Sequence, residues 1–269
     1  PPFKLDKSLL ARRRAWLEAA GVRFELGTVV DGTRAQRLAA EHDALFLGLG
    51  AQSPRAVALP GQDKAGVLDA LGFLAAVNAG QAPDLHGGQV LVLGGGDTAM
   101  DCARSALRLG AAVTLAYRGA ESRLRASPSE VRAAREEGAR FLLDHNPAAI
   151  LGGDRVEAVG FDTPGGERQV ECDWVIPAFG QQPAPPDWLA ALGVDIDAEG
   201  RIRCDSEGRT TNPRVYAGGD ASQGPDLVVT ALAAGRRAAA ASLADQAPLV
   251  SLRRAARPVS RLPAEEALA

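Results

Sequence analysis

The sequence predicts an α/β fold built on a parallel sheet. Three observations lead there. Strand-like and helix-like segments alternate through the middle of the chain, which implies a parallel sheet with right-handed crossovers. The stretch Val90-Leu91-Val92-Leu93-Gly94-Gly95-Gly96-Asp97-Thr98-Ala99 runs from a buried strand through three glycines into a helical pattern. Two other apolar runs, ending at residues 48–51 and 178–180, close on small residues in the same manner.

The 269 residues suit one large α/β domain or two modest ones. Hydrophobic content is 46% but aromatic content only 4%, so the core must come from Ala, Val and Leu. A net charge of −3 with dispersed positives argues against phosphate-driven nucleic-acid binding. No run is long enough to read as a membrane-spanning helix, and no secretory pattern opens the chain. Cys102, Cys172 and Cys204 are isolated, which offers no disulfide framework, no C-x-x-C pair and no iron–sulfur run. A cytoplasmic protein without a metal site is the expectation. The opening Pro1-Pro2-Phe3, without methionine, reads as the cut end of a longer polypeptide.

In order, Leu9, Leu10, Trp16, Leu17 and Ala20 share one helical face, and Gly21 is a natural stop. Residues 22–26 read as a strand, 33–42 as a helix and 43–51 as a buried strand. Ser53-Pro54-Arg55 and Leu59-Pro60-Gly61 then break the pattern, which marks a domain crossover. Residues 67–79 form a helix with Leu68, Leu71, Leu74 and Val77 recurring, stopped by Gly80. Residues 82–88 are a loop into the glycine-fingerprint strand, whose helix stops at Gly110. Residues 113–117 are the next strand. Ser127-Pro128-Ser129-Glu130 is a capping box with proline in the first turn, opening a helix that ends at Gly138. Residues 140–143 give a third strand. The pattern then changes: residues 156–161 and 168–173, joined by Thr163-Pro164-Gly165-Gly166, read as an antiparallel hairpin, and 174–179 as another buried strand. Pro183, Pro185 and Pro186 mark a second crossover. A hairpin at Glu199-Gly200, a strand ending Gly218-Gly219-Asp220 and an Ala-rich helix over 227–243 follow. Residues 247–269 read as a disordered tail.

The glycine spacing carries the chemistry. In Gly94-x-Gly96-x-x-Ala99 the first glycine makes the turn and the second admits a pyrophosphate to the backbone. The third small residue lets helix and strand pack closely, and the phosphates sit on the helix N-terminus. The same spacing also serves as a plain strand-to-helix turn, so the flanking strand and helix are what favour a dinucleotide. NAD sites tend to place an acid at the end of the following strand. Here that strand ends Tyr117-Arg118-Gly119, with Arg123 and Arg125 beyond, and a guanidinium fork suits a 2′-phosphate. NADP is therefore favoured over NAD, with Glu121 close by as an opposing charge and Arg123 read as a solvated surface cation. Asp220, at a strand end before a helix, suits a sugar or ribityl hydroxyl and also suits a turn cap.

Gly94 to Cys102 (GGGDTAMDC), Tyr117-Arg118, Ala178-Phe179-Gly180, and Tyr216-Ala217-Gly218-Gly219-Asp220 followed by Asp226-Leu227-Val228-Val229-Thr230 resemble the glutamate synthase small-subunit family. They also resemble the flavin/NADPH half of dihydropyrimidine dehydrogenase. The resemblance spans nearly the whole chain. It implies a two-dinucleotide-binding (FAD/NAD(P)) Rossmann-type fold with an NAD(P)-binding domain, residues 61–180, inserted in a partial FAD domain, residues 1–60 and 181–246. Carried over by position, Gly94, Gly96, Asp97 and Thr98 would hold the NADPH pyrophosphate, and Arg118 with Arg125 the 2′-phosphate. Ala178, Phe179 and Gly180 would line the nicotinamide. Gly219 and Asp220 would bind the ribityl-pyrophosphate region of FAD, Leu227 and Val228 would turn N–H groups to the flavin ring, and Asp226 would approach the nicotinamide. Hydride would pass from NADPH to flavin with no catalytic side chain. Electrons would go on to a partner subunit, a glutamate synthase large subunit or an iron–sulfur protein.

The departures from the family are Gly119, where relatives carry a second arginine, and the lack of an initial FAD strand–turn–helix and of a cysteine-rich module. The chain alone is accordingly expected to bind FAD poorly and not to turn over. Two other readings are a non-catalytic NAD(P)-binding module and a thioredoxin-reductase-like flavoprotein, the latter opposed by the lack of C-x-x-C.

Overall fold

The computed structural model describes residues 1–55 and 57–250. In chain order the elements are α1 (Lys7–Ala19), α2 (Gly32–Glu41), β1 (Leu45–Leu47), β2 (Ser53–Pro54), α3 (Ala70–Ala79), β3 (Gln89–Leu93), α4 (Asp97–Arg108), β4 (Ala112–Ala116), α5 (Pro128–Glu136), β5 (Arg140–Leu142), β6 (Asn146–Leu151), β7 (Ala158–Thr163), β8 (Gly166–Glu171), β9 (Trp174–Pro177), β10 (Gln181–Gln182), β11 (Val215–Ala217), α6 (Asp220–Gln223) and α7 (Val228–Val250). They fall into two compact units. Of the described residues, the first holds 1–28 and 52–182, the second 29–51 and 183–250. Of the tail read over residues 247–269, residues 247–250 instead continue α7, and the rest lies outside the described residues.

The first unit centres on a four-stranded parallel sheet in the order β5-β4-β3-β9. Strand β3 is buried on both faces, which is why it reads as an unbroken apolar run. Its side chains alternate. Val90 and Val92 join Phe73, Met100, Leu115 and Ile176 in one cluster with α3 and α4, while Leu91 and Leu93 join Ile150, Val159, Phe161 and Val175 in another. That second cluster is closed by an antiparallel sheet, β6-β7-β8. Strand β6 is absent from the sequence reading because Pro147 interrupts its alternation. The structure absorbs the proline as a register irregularity between Pro147 and Ala149.

The ends of the helices follow local chemistry. Asp69 caps α3, its carboxylate accepting from Gly72 N at 2.6 Å, and Gly80 ends that helix at φ 69°. The helix begins at Ala70 rather than at residue 67, because Val67 is taken up in a bridge to Val175. Strands β2 and β10, one at each crossover, pair with each other antiparallel, and Arg55 N donates to Gly180 O at 3.0 Å. The 52–182 stretch of the first unit thus begins and ends in adjacent strands.

Residues 1–28 depart from the sequence reading in two respects. They pack on the first unit, where Lys4 Nζ lies 2.7 Å from an Asp101 oxygen and the Phe3 ring lies under Arg104 and Arg108. Residues 22–26 are not a strand: no neighbouring strand pairs with them among the described residues, and Val22, Phe24 and Leu26 stay exposed.

In the second unit β1 and β11 form a two-stranded parallel sheet, with Leu45 opposite Val215 and Leu47 opposite Ala217. Leu47, Val215 and Ala217 pack with Ala35 of α2 and with Leu189, Leu192 and Ile202. Tyr216 instead meets Ala238 and Ala241 of α7, and its hydroxyl donates to Asp245 at 2.9 Å. Ile196 and Ile202 bridge antiparallel around the Glu199-Gly200 turn, as the sequence suggests. Among the described residues, no helix is long and apolar enough to cross a membrane.

Candidate functional site

In the first unit the sheet changes direction of growth at β3: β4 and β5 extend one way and β9 the other. Open parallel sheets bind ligands at the carboxyl ends of strands beside such a switch. The glycine turn after β3 and the segment after β9 meet there. Ala178 N donates to Leu93 O at 2.7 Å, and a Cβ on Gly94 would stand 2.3 Å from Ala178 O. Gly94 also has φ 150°, so it closes the turn on two counts. Gly95 is packed from below by the Tyr117 ring and Leu124. Gly96 is different: nothing lies within 4 Å of where its Cβ would be. It is also the N-cap of α4 and supplies no side-chain cap. The first N–H groups of α4, from Asp97 and Thr98, thus have no side-chain cap at the positive end of a 12-residue helix. An anion of phosphate size fits that arrangement.

The Asp97 carboxylate accepts from Ser127 N at 3.1 Å, which ties the glycine turn to the start of α5. Ser127 Oγ caps Glu130 N, but the Glu130 side chain does not return the bond; it accepts from Arg104 at 2.7 Å. Asp97 has taken over that half of the capping box. That leaves its backbone N–H as the group it can offer an anion.

Arg118 and Arg125 lie at the end of β4 and in the loop behind the turn. Both are exposed and have no ion pair among the described residues. Arg125 N and Ala126 N donate to Gly95 O at 2.8 and 3.0 Å, so the loop is fastened directly to the glycine turn. Glu121, the acid that opposes a phosphate in the sequence reading, is drawn off to Arg135 at 2.9 Å. After β9, Ala178 is buried, Phe179 is partly buried, and Gly180 is exposed at φ 101°. The opposite end of α4 is anchored by Arg104 and Arg108 on Glu137, which hold its carboxyl down to about 2.

The second unit has its own cleft, of about 590 Å³, at the ends of β1 and β11. Gly219, Asp220, Asp226, Leu227 and Val228 all line it. Gly219 has φ 70°, and a Cβ there would meet Ala231 of α7 at 3.3 Å. One Asp220 oxygen accepts from Asp226 N at 3.4 Å. The sequence reading missed Phe46, Gly48 and Gly50 at the end of β1, and Leu232, Gly235 and Arg236 on α7. The signal was present: Val228, Leu232 and Arg236 recur every fourth residue, which puts them on one helical face. This wall is apolar and uncovered, with Phe46 48%, Leu227 59%, Val228 76% and Leu232 63% exposed.

Two of the three cysteines are shut away from redox work. Cys102 and Cys172 are buried in separate clusters, and burial pushes the Cys172 thiol up to about 12 and the Cys102 thiol up as well. Among the described residues, no group of three or more His, Cys, Asp or Glu is arranged for a metal.

The sequence model of a family described as pyridine nucleotide-disulphide oxidoreductase matches residues 7–235. A glutamate synthase (NADPH) small chain of Halomonas elongata is 41% identical over 270 residues, covering 88% of this chain and 57% of its own. The putative oxidoreductase AegA of Escherichia coli is 43% identical over 275 residues, covering 89% of this chain and 42% of its own. The chain thus spans about half the length of these curated relatives. The solved structure of Mycobacterium tuberculosis FprA in complex with NADPH superimposes with a TM-score of 0.67 at 19% identity, covering 85% of this chain and 70% of that one.

Proposed function

The chain belongs to the pyridine nucleotide-disulphide oxidoreductase family, and from that premise we propose that it is the nucleotide- and flavin-binding part of an NADPH-dependent oxidoreductase of the glutamate synthase small-chain kind. The first unit takes NADPH. Gly94 closes the turn, Gly96 leaves room, and the Asp97 and Thr98 N–H groups receive the pyrophosphate. Arg118 and Arg125 take the 2′-phosphate, and Ala178, Phe179 and Gly180 line the nicotinamide side. The second unit takes the flavin nucleotide, with Gly219 and Asp220 toward its ribityl and pyrophosphate groups. The start of α7 at Leu227 and Val228 lies toward its ring, with Asp226 beside it. When bound, the two cofactors supply hydride transfer from nicotinamide to flavin. The chain supplies orientation and a helix N-terminus, and no side chain of it need move a proton. Electrons leave for a larger partner subunit, a reading supported by relatives named as small chains.

The observation that carries this reading is the uncapped, open Gly96 at the switch point of the parallel sheet. The test is a visible absorption spectrum of the purified protein, recorded before and after anaerobic NADPH and then NADH. A flavin band bleached by NADPH is the expected result. A colourless protein that still binds NADPH would reduce the proposal to a nucleotide-binding module. A protein that binds neither cofactor would end it.

A further inference from the structure

Helix α7 forms one wall of the second unit's cleft, and its two halves are held differently. Its packing face is alanine. Ala231, Ala234, Ala238 and Ala241 recur at intervals of three, four and three residues, which puts them on one side of the helix. They lie against glycines and the Tyr216 ring. A Cβ on Gly219 would stand 3.3 Å from the Ala231 Cβ, one on Gly218 3.1 Å from that of Ala234, and one on Gly208 2.9 Å from that of Ala238. Alanine on glycine brings a helix close to the backbone but leaves no ridge to enter a groove. Such a seam resists separation and does little against sliding or turning of the helix about its axis.

Polar ties supply what the seam lacks. Asp245 continues the alanine face four residues after Ala241. Its two oxygens accept from Arg209 Nε and Nη2 at 2.6 and 3.0 Å, and one of them also accepts from the Tyr216 hydroxyl at 2.9 Å. Arg209 and Tyr216 are partners across an antiparallel bridge, and Arg209 N is fixed in turn on an Asp205 oxygen at 2.8 Å. Gln246 Nε2 donates to Asp43 O and Arg237 Nε to Ser206 O, each at 3.1 Å. These ties all lie from residue 237 onward. Over residues 228–236, where α7 lines the cleft, no side chain bonds to another element among the described residues. Strand β11 joins the two halves. Its Tyr216 grips the far end of α7, and the chain then runs straight into Gly218, Gly219 and Asp220 of the cleft.

We propose that Asp245 is a positioning residue for the flavin nucleotide. Through the Arg209 fork and the Tyr216 hydroxyl it fixes the axial position and rotation of α7, and so the places of Leu227, Val228 and Leu232 relative to Gly219 and Asp220. The inference rests on the reading that the second unit takes the flavin. Asp245 touches no cofactor and acts only through the helix. A bidentate carboxylate–guanidinium pair suits the task, because it fixes direction as well as distance. A wall already set in place gives up less freedom when a ring settles on it than one that must first be ordered.

The test is titration of the whole chain with FAD, read by flavin fluorescence, with the denaturation midpoint measured on the same samples. Asp245→Ala is expected to weaken FAD about tenfold, the scale of one lost charge-assisted pair. Asp245→Glu, which keeps the carboxylate, recovers part of the loss. Tyr216→Phe keeps the ring against Ala238 and Ala241 and weakens FAD about threefold. Val194→Ala is the control: it lies in the cluster on the other face of β1 and β11, so it lowers the midpoint and leaves FAD affinity unchanged. At saturating FAD, the visible circular dichroism of the bound flavin changes in Asp245→Ala and not in Val194→Ala, because only the former displaces the wall beside the ring. If Asp245→Ala lowers the midpoint alone, with affinity and dichroism unchanged, Asp245 merely holds the helix and the inference fails. If Val194→Ala weakens FAD as much as Asp245→Ala does, the effect is general loss of stability and the inference also fails. If the unaltered protein binds no FAD, the flavin reading itself is wrong, and this is seen before any variant is made.

Discussion

The two units place similar glycine-ended strands in different states of completion. In the first, β3 is walled by helices on one face and by β6-β7-β8 on the other, and its turn is braced from below by Tyr117 and Leu124. Of the three glycines in that turn, Gly96 alone is left open. In the second, β1 and β11 pair only with each other among the described residues, and the cleft beyond them shows Phe46, Leu227, Val228 and Leu232 to solvent. A site with one opening selects by what fits the opening. An exposed apolar wall selects little until something apolar lies on it. The difference teaches that the first unit fixes its glycine turn with its own residues, whereas the second leaves an apolar wall exposed.

The sharpest way to break that comparison lies within the glycine turn. Gly94→Ala places a Cβ 2.3 Å from a carbonyl oxygen at a backbone angle L residues avoid. It should cost about 3 kcal/mol or more of stability, read as a shifted denaturation midpoint. Gly96→Ser should do the reverse. Serine is a good N-cap, so stability holds or rises slightly, while its hydroxyl fills the open space and engages the free N–H groups. NADPH affinity should fall at least about tenfold, the scale of one or two lost charge-assisted bonds. If Gly96→Ser binds NADPH as the original does, the opening is not the phosphate site.

The contrast also accounts for what could be read in the sequence. The β3 turn was legible because burial on both faces writes an unbroken apolar run, and a turn with no room for Cβ writes glycine. Prolines flag the two breaks near residues 54 and 183, and the short strands there, β2 and β10, pair with each other. What escaped depended on distant partners. Strand β6 is a strand only because β7 lies beside it, and its proline hides the alternation. Residues 22–26 have strand-like composition and no neighbour to pair with among the described residues. The Asp97 carboxylate looks like a ligand group in the motif, yet it serves a cap thirty residues on. Glu121 looks like a repulsive neighbour until Arg135 is seen beside it.

The rigidity of the first unit depends in part on an ionic clamp, which pH can open. Arg104 and Arg108 converge on Glu137 and lower its carboxyl from 4.5 to about 2. A carboxylate depressed in the folded state adds stability above its unfolded value and loses it as pH falls. The loss should therefore run from about 4.5 down to about 2. Glu137→Gln should cost about 1 kcal/mol at neutral pH and flatten that part of the acid limb. Asp101 acts in the opposite sense, since burial raises its carboxyl, and so it does not mimic the effect. An unchanged acid limb in the variant would mean that the clamp is not formed in solution.

The smallest effect bears on the other half of the comparison. Leu232 is 63% exposed and lines the cleft of the second unit. Leu232→Gln keeps helix propensity nearly constant and removes only apolar surface facing solvent, so stability should change by less than about 0.5 kcal/mol. A core leucine would cost several times as much. The same substitution should weaken flavin binding by a few fold, since less of an apolar ring would be covered, and flavin fluorescence titration reads this directly. A stability loss above about 1 kcal/mol would show that Leu232 is packed against something in solution. The second unit would then be as closed as the first, and the difference between them would lie in what each binds rather than in how complete it is.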